Sequence, residues 1–393
     1  MTDLGTTPEA SQAQERLSPL DAVHRAAGAS FTDFAGWQMP VRYASDLAEH
    51  HAVRRHAGLF DLSHMGEILV VGPEASVALD YALAGKLSAI ELGQAKYTLL
   101  LGRDGGVIDD LVVYRTGDDR YLVVANAANR EVVADELRDR TAPFDAEVFD
   151  ESDDVALIAL QGPDAVDVLL ETEGFGLQGP GNDHDDFVAA IQGLKYYRAV
   201  AAEYQGEPVL VARTGYTGED GFEFYLAPGR APALWEAFRE TGGSRVVPCG
   251  LASRDTLRLE AGMPLYGQEL GRDIRPDQAG LGRVVALSKE GDFVGRAATE
   301  DGRPADAPVL VGLAASGRRA ARHGYEVFDG AGADAAKVGV VTSGALSPTL
   351  GHPIAMAFVD PAHAEPGTTL HLDVRGTRIE ASVVPLPFYR RPA

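Results

Sequence analysis

Cysteine is nearly missing: Cys249 is the sole one in 393 residues, so no intramolecular disulfide and no multi-cysteine zinc site can form. No apolar run is long enough to span a bilayer, and the N-terminus lacks the basic-then-apolar layout of a signal peptide. Lysine is confined to Lys86, Lys96, Lys195, Lys289 and Lys337, which leaves arginine to carry most of the positive charge. Even so, the formal net charge is −23, which argues against nucleic acid as a partner, since phosphate would be repelled except at a local basic patch. A cytoplasmic protein without membrane association is expected. No Walker-type phosphate loop is present, and no serine lies in a nucleophile elbow. His50, His51 and His56 in "EHHAVRRH" sit on a charged helix with no carboxylate at zinc-protease spacing, so no metal is expected. Cys249 in "VVPCGLASRD" reads as a small buried residue rather than a nucleophile.

What is present is a globular composition, 45% hydrophobic and 24% charged, in a chain long enough for two or three domains. Residues 1–17 are polar and unpatterned and read as a mobile tail. "SPLDAVHRAAG" predicts a short helix with Ser18 as N-cap, Pro19 in the first helical position and Gly28 as its stop. "DLAEHHAVRRHAGLFD" predicts a second helix ending near Gly58. From Gly66 strands and helices alternate. "KYTLLLGRDGGVIDDLVVYRTGDDRYLVVANAAN" is a meander of three strands, "NREVVADELRDR" a helix, and "DVALIALQGPDAVDVLL" a strand, turn and helix. "GEPVLVARTG" and "GFEFYLAP" follow as strands, then "RAPALWEAFRE" as a helix. The fold class is α+β, with two α/β units on mostly antiparallel sheets within residues 18–298, one of them about 66–145. Beyond about Thr299, short strands with Gly, Pro and Asp punctuation and no long helix predict an all-β barrel over 306–390.

Three places carry costs that ask for an explanation. In "GGVIDDLVVYR" two aspartates interrupt an otherwise buried strand, and alternation sends Asp109 and Asp110 to opposite faces. In "GEDGFEFYL", Glu223 is flanked by Phe222 and Phe224; a carboxylate there is costly unless paired. A flat heterocycle showing an N–H beside an amino group would satisfy it with two parallel hydrogen bonds. In "CGLASRDTLRLEAG", Arg254 and Arg258 share a helix face, Arg254 being better placed to reach a ligand, while such pairs are mostly surface ion pairs. Arg390 and Arg391 end the chain in "PLPFYRRPA", where they are solvated or clamp a carboxylate.

The blocks "FTDFAGWQMPVRY", "GLFDLSHMGE", "GGVIDDLVVY", "ARTGYTGEDGFE", "GLASRDTLRLEAGMPLYGQEL", "TSGALSPTLG" and "PFYR", in this order, resemble the aminomethyltransferases of the glycine cleavage system, the T-proteins. The resemblance runs from about Ser18 to Arg390. It implies a three-domain cloverleaf around a central channel for tetrahydrofolate, and as substrate the aminomethyl group on the lipoyl arm of H-protein. It implies Asp110 as the catalytic carboxylate and folate contacts at Glu223, Arg254 and Arg390, with Tyr97 and Asn126 lining the same site. Gln278 and Arg283 depart from the family's usual glutamate and tryptophan, and an acidic chain meeting an acidic H-protein implies docking through a local arginine patch. Two rivals share the fold: a folate-dependent demethylase of a small methylated substrate, and a non-catalytic folate-binding scaffold. Flavin-linked relatives need an added GxGxxG domain, which is missing here.

Overall fold

The computed structural model describes residues 15–179 and 184–392; most of the expected N-terminal tail, residues 1–14, lies outside them. Its last two residues are not tail: Arg16–Leu17 is a short strand parallel to Trp37–Arg42, which pairs in turn with Ser30–Phe34. The helix expected from Ser18 starts later, at Asp21–Ala26. Ser18 does not cap it. Its hydroxyl accepts the Leu20 N–H at 3.0 Å and donates to the buried carboxylate of Asp61, which His24 also meets at 2.8 Å.

The first α/β unit is a five-stranded antiparallel sheet in the order Ala95–Leu101, Val107–Gly117, Arg120–Ala125, Gly66–Val71, Glu147–Asp150. Helices Ala75–Ala82 and Arg130–Thr141 cover one face, burying Ile68, Val70, Leu79, Val123 and Leu137. The second unit is a seven-stranded sheet ordered Phe175–Leu177, Ala199–Tyr204, Glu207–Ala212, Gly221–Leu226, Ala156–Gln161, Ala57–Asp61, Val246–Pro248. Its Ala165–Glu171, His184–Gly193 and Ala231–Gly242 helices cover one face over Phe187, Phe224, Trp235 and Phe238. The second predicted helix therefore stops early, at Arg55, and "AGLFD" is a central strand of this sheet. All five of its residues are buried, so no period-2 alternation marks it.

The uncovered faces of the two sheets meet each other through Phe60, Tyr114, Val124, Leu157, Ala159 and Tyr225. The predicted barrel is present and closed, ordered Val309–Ala315, Pro353–Val359, Lys337–Leu346, Glu326–Phe328, Thr369–Val374, Thr377–Val384. The turn-rich connection before it carries a short helix, Arg296–Asp301, and is anchored by Lys289. The Lys289 ammonium donates to the carbonyls of Asp80, Leu83 and Gly85 at 2.5, 2.5 and 3.0 Å, closing the C-terminal end of the Ala75–Ala82 helix.

The helix Leu251–Glu260 joins these parts. Arg258, read as a surface residue, is in fact 2% exposed and bonds Glu269 at 2.9 Å and Ser343 of the barrel at 2.7 Å. Glu269 in turn accepts from the Leu265 N–H at 2.9 Å and from Ser343 at 2.6 Å. Glu260 of the same helix accepts from Arg54, Ser347 and Thr349, and pairs with His50 at 3.2 Å. His50, one of the clustered histidines, is thus committed to joining two domains; it also meets Thr256 and Thr349. Gln278, a departure from the family pattern, is nearly buried and donates to the Pro308 carbonyl at 3.1 Å, tying its segment to the barrel's entry. Glu269→Gln removes the one fully buried counter-charge of Arg258 among the described residues. We expect a loss of about 3–5 kcal/mol, read as a fall in melting temperature together with weakened order of the 263–266 loop in hydrogen exchange.

Candidate active site

Asp110 lies on the strand Val107–Gly117, opposite Leu99 of the edge strand and one residue past Asp109, which is opposite Leu100. The strand enters through Gly106, packed so closely that a Cβ there would lie 1.8 Å from the Arg272 carbonyl oxygen; only glycine fits. Asp110 opens into a cavity of about 250 Å³. Its walls come from both inner sheet faces (Leu62, Met65, Val112, Val124, Leu157, Tyr225) and from the Met263–Tyr266 loop with Leu281. No barrel residue lines it; among the described residues the barrel acts on the cavity through the loop that Arg258, Glu269 and Ser343 hold.

Five of the six predicted site residues line this one cavity: Tyr97, Asp110, Asn126, Glu223 and Arg254. Arg390 does not. It is exposed, on a C-terminal segment fixed by its neighbour Tyr389, whose N–H donates to the Glu260 carbonyl and whose ring lies 4.2 Å from the Arg54 guanidinium carbon.

Asp110 accepts from the Tyr97 hydroxyl at 3.1 Å and from Asn126 Nδ2 at 2.8 Å. Burial pushes its carboxyl up to about 6, against the opposing pull of those two hydrogen bonds. Asp109, on the opposite side of the strand, is fully buried and hydrogen-bonded. Burial, then the charge of Asp110, pushes it up to about 7.

Glu223 faces the far end. Its Oε2 accepts from Thr214 at 2.5 Å and from Tyr114 and Tyr225 at 3.4 Å each, while Oε1 has no protein donor among the described residues. Burial raises its proton affinity, opposed by the Thr214 bond and the charge of Arg254. Arg254 lies over the Tyr216 ring at 4.6 Å and has no ion pair among the described residues, so its N–H groups remain available on the cavity side.

Several residues went unselected in the sequence. Tyr216 sat inside a quoted block; its hydroxyl donates to the Pro264 carbonyl and ties one wall to the loop. Tyr197 lines the cavity with a left-handed backbone, φ 61°, rare for a bulky side chain. Nothing in "LKYYRAV" signals that conformation, which the Tyr197 N–H to Arg213 and the Ala95 N–H to Tyr197 hydrogen bonds impose across the two sheets. His64, buried beside Arg254, is pulled down to about 4 by burial and then by that positive charge, so it stays neutral. Cys249 is buried against backbone, its thiol pushed well up by burial, in keeping with a packing role.

Two family models match the chain: the GCVT N-terminal domain over residues 20–289 and the glycine cleavage T-protein C-terminal barrel domain over 309–390. An aminomethyltransferase of Cutibacterium acnes is 59% identical over 376 residues, 96% of this chain and 99% of that protein. One from Saccharopolyspora erythraea is 55% identical, with 96% and 99% covered. The crystal structure of glycine cleavage system aminomethyltransferase T from Bartonella henselae superposes with a TM-score of 0.85 at 37% identity, covering 96% of this chain and 99% of that one. The matching domain model and the relatives place the chain among the folate-dependent transferases of one-carbon groups. Within that class, the chain belongs to the glycine cleavage T-protein family, the aminomethyltransferases.

Proposed function

We propose that the chain works in the cytoplasm on the aminomethyl group carried by the lipoyl arm of H-protein, passing its methylene carbon to tetrahydrofolate. Two bonds to that carbon form, from N5 and N10 of the folate, and two break. The two nitrogen-bound protons end on the departing ammonia and on the dihydrolipoyl sulfur. The observation that carries this reading is the convergence of Asp110, Glu223 and Arg254, from three separate elements, on one cavity. A carboxylate at position 110 orients the attacking nitrogens and stabilises positive charge developing there. Glu223, with Oε1 open, suits the paired N–H donors of the pterin's amino-pyrimidinone edge. Arg254 supplements it, Tyr97 and Asn126 hold Asp110, and exposed Arg390 meets the far, anionic portion of the folate.

The test is reconstitution with aminomethylated H-protein and tetrahydrofolate, following ammonia release. Release only with both present is the expected result; ready turnover of free methylated amines instead would favour the demethylase. Asp110 must be ionised to serve, so the acid limb of the rate profile should fall near pH 6, where burial has placed this carboxyl. A limb near pH 4, that of a solvated aspartate, would contradict the role.

A further inference from the structure

Asp109 is an ionisable side chain that the cavity does not use. It is 0% exposed, and among the described residues its partners are three N–H groups and no cation faces it. The Asn126 backbone N–H meets its Oδ2 at 3.0 Å; Asn126 Nδ2 and Asn129 Nδ2 meet its Oδ1 at 2.9 and 2.8 Å. Asn126 is therefore gripped twice by one carboxyl, through main chain and side chain, which fixes the plane of its amide. That amide has two hydrogens. One serves Asp109, and the other points to Oδ1 of Asp110, 2.8 Å from Nδ2.

We propose that Asp109 is a positioning residue of the transfer, clamping the Asn126 amide so that its second hydrogen holds the cavity carboxylate of Asp110 in place. The inference rests on the reading of Asp110 given above and extends it to a second acid. Two carboxyls bridged by one amide, with no cation between them, cannot both be charged cheaply. With Asp109 pushed up to about 7 and Asp110 to about 6, the pair still holds roughly half a proton at pH 7, chiefly on Asp109, while Asp110 is mostly ionised. The other groups facing the pair are the phenols of Tyr97, Tyr197, Tyr216 and Tyr266, all shifted upward by burial and neutral across this range, with Arg272 beyond Tyr266.

The test combines kinetics of Asp109→Asn with carboxyl ¹³C NMR titration of the ligand-free chain. In the variant, kcat should fall roughly tenfold or more, folate affinity should stay within about twofold of the parent, and the step near pH 7 should vanish from the rate profile. In the titration of the parent, two coupled steps are expected, near 6 and near 7. Asn129→Ala keeps both carboxyls and removes one donor that favours the charged form of Asp109, so its step should move above 7. Asp110→Asn should move the Asp109 step below 7, by removing the charge that holds it up. A kcat within twofold and an unchanged profile in Asp109→Asn would reduce Asp109 to packing. Should that variant not fold, an Asp109 step unmoved by both other variants overturns the proposal. If the parent releases no ammonia from aminomethylated H-protein, the functional reading fails, while the titration still decides the link between the two acids.

Discussion

Asp110→Asn is expected to lower the rate of ammonia release by about 10²–10⁴-fold while leaving tetrahydrofolate binding near that of the parent. The substitution keeps the shape of the side chain. Its amide oxygen can still accept from Asn126 Nδ2, and the Tyr97 hydroxyl can turn to accept where it now donates. What is lost is the negative charge that the proposed role sets beside the reacting nitrogens, which matters as positive charge builds on them. Stability moves the other way. The folded carboxyl titrates at about 6, above its ordinary 3.8, so the native state binds more protons than the unfolded one between those values. Native stability therefore declines as pH rises from about 4 to about 6, and the variant escapes this decline. At pH 8 it should melt at or above the parent's temperature, which separates a chemical defect from misfolding. Near-normal turnover in single-turnover assays would remove Asp110 from the mechanism.

The parts of this arrangement visible in the sequence are those governed by short-range rules. Alternation along "VIDDLVV" separated the two aspartates, and the meander Ala95–Ala125 followed from its turn residues. The six barrel strands were marked by their punctuation. Long-range pairing was not visible. Ala57–Asp61 pairs antiparallel with Ala156–Gln161 and parallel with Val246–Pro248, partners about 100 and 190 positions away, and its two-sided burial removed the pattern that would have distinguished it from a helix end. Arg258 and Arg254 look alike on a helical wheel. Only the folded chain separates the one locked to Glu269 and the barrel from the one left free over Tyr216. Asp109 reads as an ordinary strand residue until Asn126, brought alongside by the neighbouring strand, bridges it to Asp110. Arg390 could be matched to a family motif, yet its distance from the cavity wall depends on how the barrel's last segment is held by Tyr389 and Arg54.

Glu223→Gln is expected to weaken tetrahydrofolate binding by about 10- to 100-fold, with little change in the affinity for H-protein. Three hydroxyls occupy Oε2 of Glu223. In the glutamine variant the amide oxygen takes this position and accepts from those donors, since an NH2 group facing Thr214 at 2.5 Å would oppose the short hydrogen bond there. That orientation turns the NH2 towards the position Oε1 now holds, where no protein donor competes among the described residues. A donor then faces the pterin's own N–H groups, so the pair is not merely lost but reversed, and a buried donor is left unsatisfied. Arg254 also loses the charge that Glu223 sets against it across the cavity. Docking of a protein partner involves the outer surface, and Glu223 lies inside, beneath Tyr225 and Tyr114. Isothermal titration with each ligand separately gives the answer. Equal losses for folate and for H-protein would mean that Glu223 supports the cavity as a whole instead of reading the heterocycle.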